Sequence, residues 1–321
     1  MTTDLPPIRW GLLGTGDITR KLIAGAATTP TAEIVAVGSR TQARADEFAA
    51  GKGIARVHGS YEALLADPEV DAVYISLPNS LHHTWTMAAL AAGKHVLCEK
   101  PYTRHPEEVE VAWDAAEAAG VVLQEAFMWR HHPQADLMHG LLPELGPLQV
   151  IRATFAFVLE KSYDVRIDAD LEGGSLMDVG CYTISGSRLL AGEEPDEVVG
   201  YQVVGPTGVD LTFTGLLHFP SGVVAEIASA FTMDHRGLEA IGTAGSFRAA
   251  DPWQSIPATV WHGADETTYE WIDPYGCELA DMAAAIRGEK APRLGRAEAL
   301  GQARTIEALY RSAATGAPVR L

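Results

Sequence analysis

Residues 8–18, IRWGLLGTGDI, place a glycine pair at the end of an apolar run of strand length. Gly14 allows a tight turn there, and Gly16 lets the backbone approach a pyrophosphate. A predicted helix follows directly, and its free N–H groups and positive dipole end would face the phosphates. The third glycine of G-x-G-x-x-G is missing, because Thr19 stands in its place. The predicted phosphate-binding residues are Gly14, Thr15, Gly16, Asp17 and Ile18.

The first 130 residues continue the pattern that this turn begins, with short apolar runs alternating with amphipathic segments of helix length. Such alternation indicates βαβ units on a parallel sheet with helices on both faces. We therefore expect residues 1–130 to form a doubly wound, dinucleotide-binding Rossmann domain. The predicted strands are 8–13, 33–37, 72–77, 95–98 and 121–124, and the predicted helices are 18–27, 42–50, 84–92 and 107–119.

After about Pro147 the apolar runs follow one another through turn residues, as at Pro220-Ser221-Gly222. Directly joined strands of this kind pair antiparallel. Residues 131–321 are therefore expected to form an α+β domain for substrate binding and oligomerisation, built on one open, mainly antiparallel sheet. A C-terminal segment of this domain could pack back on the first. The predicted strands are 148–159, 198–204, 212–219, 223–231, 238–243 and 259–262, and the predicted helices are 175–191, 277–287 and 297–313.

The charge of the chain excludes two classes of partner. Its 321 residues contain 24 Lys and Arg against 42 Asp and Glu, a net charge of −18. Nucleic acid and anionic membrane surfaces are poor partners for such a chain. The three cysteines have no metal-ligand spacing, and the N-terminus fits neither a signal peptide nor a membrane span. We expect a soluble, cytoplasmic protein without a metal.

The end of the second predicted strand indicates which dinucleotide is bound. An NAD site usually presents Asp or Glu there to hold the ribose hydroxyls. This chain instead has Ser39 and Arg40, with Arg44 one turn further on. A hydroxyl and guanidinium groups bind a 2′-phosphate that a carboxylate would repel. The sequence therefore favours NADP(H) over NAD(H).

Four further stretches carry a family resemblance: LPNSLHH at 77–83, GKHVLCEKP at 93–101, QEAFMWRHHPQ at 124–134 and GGSLMDVGCY at 173–182. Together with the glycine turn they resemble the Gfo/Idh/MocA family of sugar oxidoreductases. Within that family the chain is similar to the subgroup of NADP-dependent D-xylose dehydrogenases and dimeric dihydrodiol dehydrogenases. The resemblance spans essentially the whole chain.

The resemblance implies three catalytic residues, Lys100, Tyr182 and Asp178. Tyr182 stands where many relatives have His, and the resemblance makes it the acid–base. A tyrosine has a pKa of about 10, so it needs a neighbouring cation, and Lys100 is the candidate. Lys100 follows a predicted strand, where a lysine can also stabilise a developing oxyanion. Asp178 would share a helix face with Tyr182 and orient a substrate hydroxyl. Relatives often have a cis peptide bond before the proline that follows the lysine, here Pro101.

Further site residues come from the resemblance alone. Arg166 would approach both cofactor and substrate, and Tyr275 would line the substrate site. Asn79 and His82 would meet the nicotinamide half of the cofactor. His83 and His95 are interpreted as structural, and the adjacent His131 and His132 as no metal site, because neighbouring side chains on a helix point apart. The remaining predicted cofactor contacts are Leu77, Pro78, Glu99 and Lys100.

We therefore expect an NADP(H)-dependent oxidoreductase that acts on a secondary alcohol, hemiacetal or ketone of a sugar or polyol. Two alternatives stay open. One is a reductase of a nucleotide-linked keto sugar or an anhydro-sugar. The other is an NADPH-binding sensor without turnover. Apolar residues on both faces of the segment 223–231 also predict that a second subunit covers the sheet, in a homodimer or homotetramer.

Overall fold

The computed structural model describes residues 5–161, 163–255 and 258–321, and these form two compact units. The first unit comprises residues 5–103, Glu107–His131 and Asp273–Ala299. The second comprises the described residues of Arg104–Pro106, His132–Ile272 and Leu300–Leu321. A segment near the C-terminus therefore belongs to the unit that begins at the N-terminus.

The first unit is built on a sheet that has six parallel strands within the described residues, in the order β3-β2-β1-β4-β5-β6. This order is that of a doubly wound dinucleotide-binding fold, which confirms the predicted fold class. The strands are β1 Ile8–Leu13, β2 Ala32–Gly38, β3 Arg56–His58, β4 Ala72–Ile75, β5 His95–Glu99 and β6 Leu123–Ala126. The helices are α1 Ile18–Ala26, α2 Gln42–Ala49, α3 Tyr61–Leu65, α4 His82–Ala91, α5 Pro106–Ala119 and α8 Pro274–Ile286, numbered in chain order.

The core of this unit lies at its central strand. Trp10, Leu12 and Leu13 of β1 are fully buried, as expected for a parallel strand covered on both faces. Helix α8 packs directly on α1. A Cβ atom at Gly25 of α1 would lie 2.5 Å from Cβ of Tyr275, so glycine is required at this crossing. The close crossing explains why α8 belongs to the first unit.

The second unit is built on a mixed sheet of nine described strands, in the order β14-β13-β12-β11-β7-β10-β9-β8-β15. All neighbours pair antiparallel except β7 and β10, which are parallel, so the predicted mainly antiparallel sheet is confirmed. The strands are β7 Leu148–Ala156, β8 Glu197–Val204, β9 Asp210–His218, β10 Val224–Ala230, β11 His235–Gly242, β12 Ser246–Ala249, β13 Thr259–His262, β14 Asp265–Thr268 and β15 Val319–Arg320. The helices are α6 Pro133–Leu141, α7 Cys181–Ala191 and α9 Arg296–Thr315, of which residues 300–315 belong to this unit. A π-helix, Leu176–Gly180, runs directly into α7.

The two faces of this sheet differ. Helices α7 and α9 cover one face, and α9 comes so close that a Cβ atom at Gly215 of β9 would lie 3.0 Å from Leu309. On the other face Leu216 and Tyr201 are 47% and 65% exposed. This second face is called the open face below. Of the helices within residues 5–161, 163–255 and 258–321, none combines the length and the apolar character needed to cross a membrane.

Candidate active site

The glycine turn after β1 has the geometry that a dinucleotide requires. Gly14 has φ +118°, and a Cβ atom on it would lie 2.9 Å from Oγ of Ser76. Gly16 and Asp17 are exposed at the start of α1, and within the described residues Asp17 gives this helix no side-chain cap. The N-terminus of α1 is therefore open to an anion, as a pyrophosphate site needs.

The end of β2 suits a phosphorylated ribose. Ser39 is buried and donates its backbone N–H to the carbonyl of His58 at 3.1 Å. Arg40 and Arg44 are exposed, and Oγ1 of Thr41 accepts the backbone N–H of Arg44 to cap α2. The described first turn of α2 contains no acidic residue. Two guanidinium groups without an opposing carboxylate in that turn fit a 2′-phosphate better than ribose hydroxyls.

His82 joins the turn after β4 to the turn after β5. Its Nε2 lies 2.8 Å from the carbonyl of Leu77, and its Nδ1 lies 2.9 Å from the carbonyl of Pro101. Leu77, Pro78 and Asn79 lead into this histidine and are half-buried. Both ring nitrogens thus face backbone carbonyls, so His82 holds this edge of the sheet together. Its predicted contact with the nicotinamide stays a prediction.

Lys100 follows β5 at the same edge and is half-buried, and the Lys100–Pro101 bond is cis, as the resemblance implies. The preceding Glu99 is buried and accepts a hydrogen bond from the hydroxyl of Tyr74. Burial and the negative charge of Glu99 raise the pKa of Tyr74 well above its usual value. Tyr74 therefore stays a hydrogen-bond donor, which fixes the carboxylate next to Lys100.

In the second unit, a two-glycine turn starts the segment that carries Asp178 and Tyr182. The N–H of Gly174 donates to the carbonyl of Arg166 at 2.8 Å, and a Cβ atom at Gly173 would overlap that carbonyl. Gly174 itself has φ +124°. The turn therefore requires glycine at both positions, and it connects the loop of Arg166 to the π-helix that follows.

Arg166 and Asp178 form an ion pair. Nε of Arg166 donates to Oδ2 of Asp178 at 2.8 Å, and its Nη1 donates to Oδ1 of Asp164 at 3.0 Å. The charges of Asp178 and then Asp164 raise the pKa of Arg166, against the opposing effect of burial. Asp178 is thus an oriented carboxylate that can accept a hydrogen bond from a substrate hydroxyl.

Tyr182 lies one turn beyond Asp178, at the start of α7, and is 6% exposed. Its ring packs edge-on against Phe155 and Trp253, with centroids 5.2 and 6.2 Å away. The Trp253 indole donates to the carbonyl of Thr154 at 2.7 Å, which fixes that wall. The structure therefore brings Arg166, Asp178 and Tyr182 onto one connected segment.

The remaining predicted site residue is Tyr275, in the first unit. It is buried at the start of α8, where Asp273 accepts its backbone N–H at 2.8 Å and so caps the helix. The two adjacent histidines serve different elements. His131 Nδ1 lies 2.7 Å from Asp281, whereas His132 Nδ1 accepts the N–H of Gln134. In the described part of the chain, no group of three or more His, Cys, Asp or Glu side chains is arranged to hold a metal.

Some residues around the site were not singled out from the sequence. Asp210 and Tyr310 support the start of the π-helix, and Phe155 and Trp253 form the wall beside Tyr182. An aspartate at the first position of an apolar strand is the one signal that could have pointed to Asp210. The aromatic wall has no local signal, because Phe155 and Trp253 are almost 100 residues apart in the sequence.

Comparison with known proteins gives a consistent result. A D-xylose 1-dehydrogenase (NADP(+)) from Haloferax volcanii is 41% identical over 97% of this chain and 99% of its own. An aldose-aldose oxidoreductase structure from Caulobacter crescentus, complexed with glycerol, has a TM-score of 0.90 at 28% identity and covers 98% of this chain and 100% of its own. A 3-ketoreductase structure from Actinomadura kijaniata, in complex with NADP and TDP-benzene, has a TM-score of 0.88 at 30% identity. It covers 95% of this chain and 98% of its own.

Two family matches cover most of the chain. Residues 8–127 match the oxidoreductase family with an NAD-binding Rossmann fold, and residues 143–248 match the GFO/IDH/MocA C-terminal domain. The order of the two matches is that of the two predicted domains. The protein belongs to the Gfo/Idh/MocA family of oxidoreductases, as the sequence motifs predicted.

Proposed function

We propose that this protein is an NADP(H)-dependent sugar dehydrogenase that oxidises a secondary alcohol or hemiacetal of an aldose or polyol, and reduces the corresponding carbonyl compound in reverse. The observation that carries the proposal is the arrangement of Asp178, paired with Arg166, and Tyr182 on one segment. That arrangement offers an oriented hydrogen-bond acceptor and a phenol for one substrate. The 41% identical relative named as a D-xylose 1-dehydrogenase supports an aldose.

The proposed cofactor is NADP(H), with Ser39, Arg40 and Arg44 holding its 2′-phosphate. The two arginines are exposed beside the end of β2, and the described first turn of α2 contains no acidic residue. The names of the D-xylose dehydrogenase and of the 3-ketoreductase complex both include NADP. The other proposed contacts are Gly14, Thr15, Gly16, Asp17, Ile18, Leu77, Pro78, Asn79, His82, Glu99, Lys100 and Arg166.

In the proposed oxidation, Tyr182 takes the proton of the reacting hydroxyl. The Lys100 ammonium stabilises the tyrosinate and the developing oxyanion, and Asp178 accepts a hydrogen bond from a neighbouring hydroxyl. The nicotinamide, when bound, supplies the hydride acceptor. Tyr275 is the further proposed substrate contact.

A second candidate, reduction of a nucleotide-linked 3-keto sugar, is supported by the 3-ketoreductase structure at a TM-score of 0.88. The ion pairs of Arg166 argue against this second candidate. This guanidinium is already balanced by Asp164 and Asp178, so it is less suited to a diphosphate. An anhydro-sugar reductase and an NADPH sensor are the remaining candidates.

The deciding experiment is an absorbance assay of NADPH formation by purified protein. NADP+ or NAD+ is incubated with D-xylose, D-glucose, polyols and a trans-dihydrodiol. We expect turnover with NADP+ and an aldose. Turnover only in the reverse direction, with a nucleotide-linked keto sugar or an anhydro-sugar, would instead favour a reductase. A panel without turnover, with NADPH still bound tightly by fluorescence, would favour the sensor.

We also propose that a second copy of the chain covers the open face, giving a homodimer or a tetramer built from it. The strand register places Val199, Leu216, Glu226, Arg152 and Glu239 in one row across this face. The row is apolar at one end and charged at the other, with Arg152 bonded to both glutamates. An apolar patch beside paired charges suits a two-fold contact between copies. We further propose a cytoplasmic location, which agrees with the free and buried Cys98 and Cys181.

A further inference from the structure

A buried carboxylate lies beneath the start of the segment that carries Asp178 and Tyr182. Asp210, the first residue of β9, is 2% exposed. Its Oδ2 accepts the backbone N–H of Leu176 at 2.8 Å and the hydroxyl of Ser175 at 2.7 Å. Its Oδ1 accepts the hydroxyl of Tyr310, from α9, at 2.8 Å. Three donors thus converge on one side chain of the sheet.

These bonds form at the N-terminus of the π-helix. The first N–H groups of a helix have no acceptor within the helix, and a buried one without a partner destabilises the fold. Ser175, which precedes the π-helix, gives it no side-chain cap within the described structure. Asp210, 34 residues further along the chain, supplies the missing acceptor to Leu176. A carboxylate is also favoured at this position by the helix dipole.

The glycine turn is fitted to the same carboxylate. A Cβ atom at Gly174 would overlap Oδ1 of Asp210 and would lie 3.0 Å from the hydroxyl of Tyr310. On its other side Gly174 donates to the carbonyl of Arg166. One turn therefore joins Asp210 to the loop that carries the ion-pair partner of Asp178. Ser175 adds a contact of 3.1 Å to the hydroxyl of Ser229 on β10.

We propose that Asp210 is a positioning residue for hydride transfer. It anchors the start of the π-helix to the sheet, so that Asp178 and Tyr182 meet the sugar hydroxyl in one geometry. The inference rests on the proposed function, because it assigns the role of Tyr182 and Asp178 as given there. Asp210 itself touches neither substrate nor cofactor in this assignment.

The kinetic test compares Asp210→Ala with Asp210→Asn. In the asparagine variant the amide oxygen can still accept from Leu176 and Ser175, while the amide nitrogen can donate to the oxygen of Tyr310. We expect Asp210→Ala to lower kcat with NADP+ and D-xylose about 100-fold, since a misplacement of 1 Å has effects of this size. The KM for NADP+ should stay within about twofold, and Asp210→Asn should recover kcat to within about fivefold of wild type.

A purely structural role predicts a different result. A smaller folded fraction lowers the apparent kcat but leaves the isotope effect of the remaining enzyme unchanged. A misplaced Tyr182 instead slows the hydride step, so the deuterium isotope effect on kcat with 1-deuterated D-xylose should rise in Asp210→Ala. Tyr310→Phe is the matched control, because it removes one donor to Oδ1 and keeps both bonds to Oδ2.

Hydrogen exchange measured by mass spectrometry tests the anchor without any substrate. We expect the amides of residues 174–182 to exchange faster in Asp210→Ala and as in wild type in Asp210→Asn. Unchanged exchange in Asp210→Ala would overturn the anchoring role. Faster exchange with unchanged kcat and isotope effect would overturn the positioning role. A wild-type enzyme without turnover on any sugar would overturn the proposed function, and the exchange result would still decide whether Asp210 anchors the segment.

Discussion

Arg166 holds Asp178 through a side-chain hydrogen bond of 2.8 Å, while its own backbone carbonyl accepts the N–H of Gly174. The pair is therefore fixed twice, once through side chains and once through the turn that starts the segment of Asp178 and Tyr182. A carboxylate with one oxygen bonded to a guanidinium is a weak general base. It is well suited to orient a hydroxyl, which agrees with the proposal that Tyr182 transfers the proton.

The pair gives a first prediction about coupling. Asp178→Asn and Arg166→Leu should each lower kcat/KM for the sugar by about 10- to 100-fold. Each change removes the opposite charge of the pair, so the remaining side chain is no longer held in its orientation. The double variant should lose less than the product of the two single effects, since contacting residues are coupled. The measurement is a double-mutant cycle on kcat/KM. Arg304→Leu, at an exposed arginine of α9, is the control. Strict multiplicativity of the two effects would contradict the assignment.

A second prediction concerns the two proposed catalytic groups. Tyr182→Phe and Lys100→Met should lower kcat by about 100- to 10,000-fold, because proton transfer and oxyanion stabilisation are lost. NADPH affinity, measured by fluorescence titration, should be largely kept. Tyr163→Phe and Lys161→Met change exposed residues of the second unit and serve as matched controls. Activity of either catalytic variant within tenfold of wild type would remove that residue from the mechanism.

A third prediction tests the cofactor preference. Arg40→Ala and Arg44→Ala should each weaken NADPH binding about tenfold and leave NADH binding unchanged, because only NADPH has a 2′-phosphate to lose a charge-assisted hydrogen bond. Isothermal titration with both cofactors measures this difference. Lys21→Ala, at an exposed cationic residue of α1, is the control within the same unit. Equal losses of affinity for NADPH and NADH would show that the arginines do not bind the 2′-phosphate.

The sequence predicted the elements whose patterns are local. The predicted strand 8–13 agrees with β1 at both ends, because a mostly buried run followed by a glycine turn has sharp limits. Strand β3, Arg56–His58, was missed, since three half-buried residues show no apolar run. The parallel pairing of β7 with β10 could not be predicted either, because no turn connects the two strands.

In the candidate site, too, the local features could be predicted from the sequence and the distant contacts could not. The spacing of Asp178 and Tyr182 could be identified from the motif, but the helix between them could not be recognised as a π-helix. Over five residues, apolar periodicity does not distinguish the wider turn from an α-helix. The π-helix is supported by Asp210, and no sequence pattern shows that Asp210 and Leu176, 34 positions apart, are hydrogen-bonded.

A fourth prediction concerns the open face. Leu216→Glu should convert the predicted dimer into monomers, because it places a charge in the apolar end of the row. Analytical ultracentrifugation measures the mass directly. Thr207→Glu changes a surface loop position elsewhere in the second unit and is the control. A wild-type protein that sediments as a monomer, or a variant that remains a dimer, would contradict the proposed interface.

The last prediction concerns Glu278 on α8, a fully buried residue. Neither carboxyl oxygen has a hydrogen-bond partner within the described residues, and Nε2 of His131 lies 4.0 Å from Oε1. Burial, and then the charges of Glu99 and Asp281, raise the pKa of Glu278 well above its usual value. Burial also lowers the pKa of His131, so that imidazole supplies little opposing charge at neutral pH.

The sign of the pH effect follows from this raised pKa. The folded chain holds the proton more tightly than the unfolded chain does. The contribution to stability is therefore complete below the unfolded pKa, about 4.3, and is lost as pH rises through the folded pKa. Glu278→Gln stays neutral at every pH, so its free energy of unfolding relative to wild type should increase as pH rises from about 5 to about 9. Urea denaturation across this range measures the difference, with exposed Glu289→Gln as control. A difference that does not change with pH would show that Glu278 is ionised in the folded protein throughout.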